Sequence, residues 1–82
     1  MNVRLTPHAR RQLDRLPDEV AEAVRAALDR LAAEDQSLDL RKMVGELRSY
    51  RLRVGNYRVV FTREADSVAV VSEIAHRREV YR

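Results

Sequence analysis

The spacing of apolar positions changes along the chain, and each change marks an element. Val3 and Leu5 alternate with polar neighbours, as in a short edge strand. Thr6-Pro7 then supplies a helix start, with threonine as the capping residue and proline at the first helical position. Ala9, Leu13 and Leu16 follow at i, i+4 and i+7, with Arg10, Arg11, Asp14 and Arg15 turned away from them. Leu16-Pro17 ends this helix, because the residue before proline disfavours the α conformation. A second helix starts near Pro17 and carries Asp18, Glu19 and Glu22 at its beginning, where the helix dipole favours anions. Its apolar stripe is Val20, Val24, Ala27, Leu28 and Leu31, widened by Ala21, Ala23, Ala26, Ala32 and Ala33. Such a stripe packs a core. Its alanines also leave room for a shallow groove that accepts a partner helix.

In the second half the period falls to two. Glu34 to Asp39 has turn chemistry, and Leu40 to Glu46 reads as a loop or frayed turn leading into a strand near Leu47. Tyr50 to Thr62 predicts two strands joined at Gly55-Asn56, residue types that tolerate the positive φ of a tight hairpin turn. A two-residue loop sets the register: Val54 opposite Tyr57, Arg53 opposite Arg58, Leu52 opposite Val59, Arg51 opposite Val60. Arg63 to Ser67 is a polar turn, and Val68 to Ala75 is a further strand, apolar on both faces at its centre. The order β-α-α-β-β-β predicts an α+β fold, with two N-terminal helices packed on one face of a small antiparallel sheet.

That register sorts the hairpin into two faces. Leu52, Val54, Tyr57, Val59 and Phe61 point one way; Arg51, Arg53 and Arg58 point the other. Like charges directly opposite each other destabilise a sheet by roughly a few tenths to 1 kcal/mol. A polyanion on that face would offset the repulsion. The alternative is a solvated face whose arginine stems cover apolar surface.

Composition narrows the chemistry. The 82 residues are the length of one small domain, taken as 1–82, and 45% hydrophobic content is enough for one modest core. There is no cysteine, which removes disulfides and cysteine-based zinc sites, and His8 and His76 are too far apart for metal-ligand spacing. No metal or other cofactor is expected. No apolar run approaches a membrane span and no signal-peptide core stands at the start, so a cytoplasmic protein without membrane contact is expected. Residues 1–40 hold six cations against eight acids, a net of −2, and residues 41–82 hold ten against five, a net of +5. All the cations but Lys42 are arginine, which grips phosphate through two donors at once. Nucleic acid or an acidic protein is the partner such a half-chain favours.

The last residues, His76-Arg77-Arg78-Glu79-Val80-Tyr81-Arg82, add guanidinium groups and an aromatic ring that can reach the open face, a set suited to phosphate and base. Together with Y-R-L-R-V-G-N-Y-R-V-V-F and the order of elements, this tail resembles the RelE side of the RelE/ParE toxin superfamily. The resemblance spans essentially the whole chain and is generic in the helices. It implies a RelE-like fold and a toxin of a type II toxin–antitoxin system. Such a toxin is a ribosome-dependent mRNA endoribonuclease, acting in the ribosomal A site and neutralised by a cognate antitoxin. It further implies a metal-independent attack of a ribose 2′-hydroxyl on the adjacent phosphate. By position, Arg51 and Arg53 match two basic residues that are often lysine in the family, and Arg58 the arginine after the turn. Arg77 and Tyr81 match the tail arginine and tyrosine. Arg53 and Arg58 would hold the scissile phosphate, Arg77 would support the departing 5′-oxygen, and Tyr81 would stack on or orient the nucleotide. Arg48, Arg78 and Arg82 would extend the RNA-binding surface. Arginine in place of lysine leaves neither Arg51 nor Arg53 able to act as a base. His76 is a candidate acid or base because imidazole ordinarily titrates near neutrality; Tyr81 and a ribosomal group are the alternatives. Two other readings compete: a ParE-like, non-enzymatic inhibitor of DNA gyrase, and a simple RNA-binding module.

Overall fold

The computed structural model describes residues 1–45, 48–65 and 67–80. Strand β1 (Asn2–Leu5) leads into helices α1 (Pro7–Asp14) and α2 (Asp18–Ala32). Strands β2 (Leu40–Lys42), β3 (Ser49–Val54), β4 (Tyr57–Ala65) and β5 (Val68–His76) follow, and one helical turn, α3 (Arg77–Val80), succeeds β5. The sheet order is β1-β5-β4-β3-β2. All pairings are antiparallel except β1 with β5, which is parallel because the helical pair carries the chain back across the sheet.

Local chemistry accounts for the helices. The Thr6 hydroxyl accepts a hydrogen bond from the Ala9 amide at 3.1 Å, and Pro7 opens α1. Ala9 and Leu13 are buried, and Leu16 packs against the core just past the end of α1. In α2, Ala21, Val24, Ala27, Leu28 and Leu31 form the buried stripe while Val20 sits at its margin. Ala23, Ala26 and Ala33 are exposed, so the widening of the stripe stops short of them. Beneath the helices, Leu52, Val59, Phe61, Val71 and Ile74 are fully buried. Each such side chain contributes about 1.5–3 kcal/mol by leaving water.

Two features depart from the sequence reading. Residues 40–42 are a strand, not a loop: Leu40 pairs with Leu52, Arg41 with Arg51 and Lys42 with Tyr50. The segment is short and exposed throughout, so it shows no alternation of its own. Second, β5 contains a bulge. Val60 pairs with Glu73 but Phe61 with Val71, so Ser72 is an extra residue. The bulge puts Val71 and Ile74 on the same buried face although they are three residues apart. Val70 and Ala75 lie on the opposite face, paired with Thr62 and Arg58, so the strand is apolar on both sides. Beyond Leu5, β5 has no strand on its β1 side, and α1 covers that edge. There the Gln12 side-chain carbonyl accepts the Ile74 amide at 2.6 Å.

The hairpin follows the expected register throughout, from Val54 opposite Tyr57 to Arg51 opposite Val60. Only Gly55 of the two turn residues has positive φ, at 58°, as in turns that place glycine first. The expected strand near Leu47 falls outside the described residues, and β3 is observed from Ser49.

Candidate functional site

The face of the sheet away from the helices carries the arginines. Arg53 and Arg58 are a direct cross-strand pair, and Arg51 follows two residues along β3. All three line one depression of about 260 Å³, joined by Arg41 and Asp39. Strand β2 brings in these last two. Arg41 stands opposite Arg51, and the Arg53 amide donates to the Asp39 carbonyl at 3.0 Å, continuing the register one residue further. The sequence pattern places neither Arg41 nor Asp39 at the site, because it reads their segment as turn and loop. The signal that could have found them is the i, i+2 spacing of Asp39 and Arg41, visible only once the segment is recognised as an edge strand.

The arginines differ in environment. Arg53 is exposed and Arg51 is half-buried. Arg58 is only 6% exposed. Its neighbour on β5 is the small Ala75, which leaves room for the long side chain to lie against the sheet. One guanidinium nitrogen donates to the carbonyls of Tyr57 at 3.1 Å and Gly55 at 3.4 Å. A cation held in place by the hairpin turn, beside two others of the same sign, forms a concentrated positive site. Asp39 sits within it, its carboxylate 4.0 Å from the Arg41 Nε.

The other predicted residues are placed differently. His76 requires a correction as an acid or base at this face. It pairs with Tyr57, whose side chain lies on the helix side of the sheet, and the two rings meet edge-on at 5.3 Å between centroids. His76 lines a separate groove with Gln12, Arg15, Leu16 and Glu79. The bulge in β5 contributes to this outcome, because it changes which residues share a face. Arg77 and Arg78 belong to α3; both are exposed, and neither lines the arginine depression. The Arg77 amide donates to the Asn56 carbonyl at 2.8 Å, which seats α3 beside the hairpin turn. Arg48 is exposed at the far end of the hairpin, near Tyr50 and Arg63. Tyr81 and Arg82 lie outside the described residues. Among the described residues no cluster of three histidine or acidic side chains could hold a metal ion, and no helix is long and apolar enough to cross a membrane.

Comparison with known proteins gives a consistent picture. Residues 3–81 match the family model of the ParE toxin of the type II toxin–antitoxin system parDE. Toxin RelE3 of Methanocaldococcus jannaschii is 36% identical over 47 residues, which are 57% of this chain. The match spans about half of that relative, 52% of its length. Among solved structures, the RelB–RelE antitoxin–toxin complex of Methanococcus jannaschii superposes with a TM-score of 0.81 at 20% identity, covering 95% of this chain and 94% of that one. The toxin–antitoxin complex RelBE2 of Mycobacterium tuberculosis gives 0.73 at 25% identity, covering 93% and 96%. The intact Escherichia coli RelBE complex gives 0.73 at 19%, covering 92% and 94%.

Proposed function

The chain belongs to the ParE toxin family of type II toxin–antitoxin systems, within the RelE/ParE superfamily, and from that premise we propose that it is a ribosome-dependent mRNA endoribonuclease. The observation that carries this reading is the gathering of Arg51, Arg53 and Arg58, with Arg41, around one depression of nucleotide size. A sheet selected for stability alone would not place Arg53 directly across from Arg58. A phosphodiester between them offsets the repulsion.

In this mechanism the buried Arg58 and the exposed Arg53 hold the scissile phosphate from two strands. Their donors stabilise the charge that builds on its oxygens as the 2′-hydroxyl attacks. Arg51 and Arg41 continue the positive surface along the RNA backbone. The guanidinium groups supply positive charge at the phosphate, and the metal independence of the proposed reaction rests on the resemblance to the family. Arg77 supports the departing 5′-oxygen and Tyr81 orients the base, roles that rest on the tail's resemblance to the family. Holding the reacting atoms in line supplies much of the acceleration. The partners are mRNA in the ribosomal A site and a cognate antitoxin, as in the RelB–RelE complexes whose toxin chains share this fold. An acidic antitoxin segment over the arginine face or an amphipathic helix against α2, where Ala23 and Ala26 are exposed, fits the surface.

The test is mRNA cleavage in a translation extract. Purified protein is expected to cut ribosome-bound message, and Arg58→Ala to lower the rate by about 10²–10³-fold, as for loss of a transition-state donor. Equal cleavage by the variant removes the role of Arg58; intact message with wild-type protein removes the enzyme. The whole-chain match to the ParE toxin model favours one second reading, a non-enzymatic gyrase inhibitor. Inhibited DNA supercoiling with mRNA left intact would establish that alternative.

A further inference from the structure

The ribonuclease mechanism needs a group to take the proton of the attacking 2′-hydroxyl, and the arginines of the depression cannot serve. A guanidinium group is protonated at any physiological pH and offers no acceptor. His76 lies on the other side of the sheet. Among the described residues lining the depression, one side chain can accept a proton: Asp39.

Its position is built by the sheet. The Arg53 amide holds the Asp39 carbonyl at 3.0 Å, and Leu40 pairs with Leu52, so Asp39 stands across from Arg53. Arg53 in turn stands across from Arg58. Asp39, Arg53 and Arg58 therefore form one row across three adjacent strands, with a carboxylate at one end and the buried guanidinium at the other. Neighbouring strands are about 5 Å apart, so the row is about 10 Å wide between its outer backbones. Side chains converging over that span can bracket a ribose and the phosphate on its 3′ side. The carboxylate also runs against simple anion binding. A surface meant only to hold a polyanion is weakened by a negative charge beside its arginines. The Asp39 side chain is half-exposed, its accessibility 50%, so substrate can reach it.

We infer that Asp39 is the general base of this site. The inference rests on the ribonuclease reading. A carboxylate oxygen of Asp39 takes the 2′-hydroxyl proton as the 2′-oxygen forms its bond to phosphorus. The bond from phosphorus to the 5′-oxygen breaks, and that oxygen takes a proton from solvent. The products are a 2′,3′-cyclic phosphate and a 5′-hydroxyl, and Asp39 returns its proton to water.

The experiment compares wild type, Asp39→Asn and Asp39→Glu on mRNA-programmed ribosomes, at saturating ribosome concentration and across pH. Asp39→Asn keeps size and hydrogen-bonding capacity, and is expected to lower the cleavage rate by about 10²–10⁴-fold, the usual range for a general base. The wild-type rate should fall as pH is lowered through one ionisation, and Asp39→Asn should lack that limb. Asp39→Glu, which keeps the carboxylate, should recover part of the rate. Binding of a 2′-O-methyl message, which cannot react, should be unchanged or tighter in Asp39→Asn because a charge repelling phosphate has gone. Cleavage by Asp39→Asn within about threefold of wild type overturns the inference. So does a loss of rate fully explained by weaker binding with the pH limb intact. In both of those results wild type still cuts, so the ribonuclease reading stands. Wild-type protein that leaves the message whole overturns that reading, and Asp39's role with it.

Discussion

At the scale of single residues, one feature concerns stability and one concerns function. Asp35 accepts hydrogen bonds from the Ser37 amide at 2.8 Å, the Ser37 hydroxyl at 2.7 Å and the Arg30 Nε at 2.9 Å. These contacts, the Ser37 amide foremost, hold its carboxyl at about 2, below its ordinary 3.8. A depressed carboxyl strengthens the fold above its unfolded pKa, and that contribution is lost as pH falls through the folded value. The turn after α2 should therefore loosen between pH 3.8 and about 2, not at higher pH. A carboxyl titration followed by NMR should give a midpoint near the lower figure, and an ordinary midpoint would contradict the hydrogen bonding. The second case is Arg53, which faces Arg58 across the hairpin. Arg53→Thr removes a like-charge pair and adds a residue suited to strands. It should raise unfolding free energy by about 0.5 kcal/mol in urea titrations while weakening RNA binding. A variant that is less stable would show that packing of the Arg53 stem outweighs the repulsion of the pair.

At the scale of elements, two pieces hold β5 in place. The bulge at Ser72 shifts its phase, and Gln12 of α1 occupies the amide of Ile74 on the edge that β1 does not reach. Without that acceptor the amide is left partly buried and unpaired, at a cost of about 1–3 kcal/mol. Gln12→Ala should lower stability to denaturant by an amount in this range and speed hydrogen exchange at Ile74. Gln12→Glu, which keeps an acceptor, should lose less. Unchanged exchange at Ile74 in Gln12→Ala would mean that water replaces the side chain without penalty. The hairpin shows how far local pattern reaches. Its register was legible because a two-residue turn and strict alternation leave one solution, and Gly55 at φ 58° supplies the turn. Strand β2 was not legible: Leu40, Arg41 and Lys42 are all exposed, and their strand character comes from pairing with β3.

At the scale of the molecule, charge is segregated by the order of elements. Helices α1 and α2 come from the half of the chain with net −2, and the arginine strands from the half with net +5. One face of the sheet is sealed by the negative half, which leaves the positive half's arginines on the other. Binding of single-stranded RNA should therefore weaken with salt at a slope of about −0.7 per phosphate neutralised in a plot of log K against log salt. Replacing Arg51 with alanine should flatten that slope by about one contact, with the loss independent of sequence. A slope unaffected by Arg51→Ala would place the RNA elsewhere on the surface.

The chain's own pattern determined the two helices, the hairpin and the shared face of Arg51, Arg53 and Arg58. Each depends on residues within a few positions of one another, where periodicity and turn chemistry act directly. Tertiary structure decided which distant groups join them. Asp39 and Arg41 enter the site only because β2 pairs with β3, and His76 leaves it because pairing of β5 with β4 sets it beside Tyr57 on the helix side. Those placements follow from hydrogen-bond register between strands, a non-local quantity that no spacing along the chain encodes.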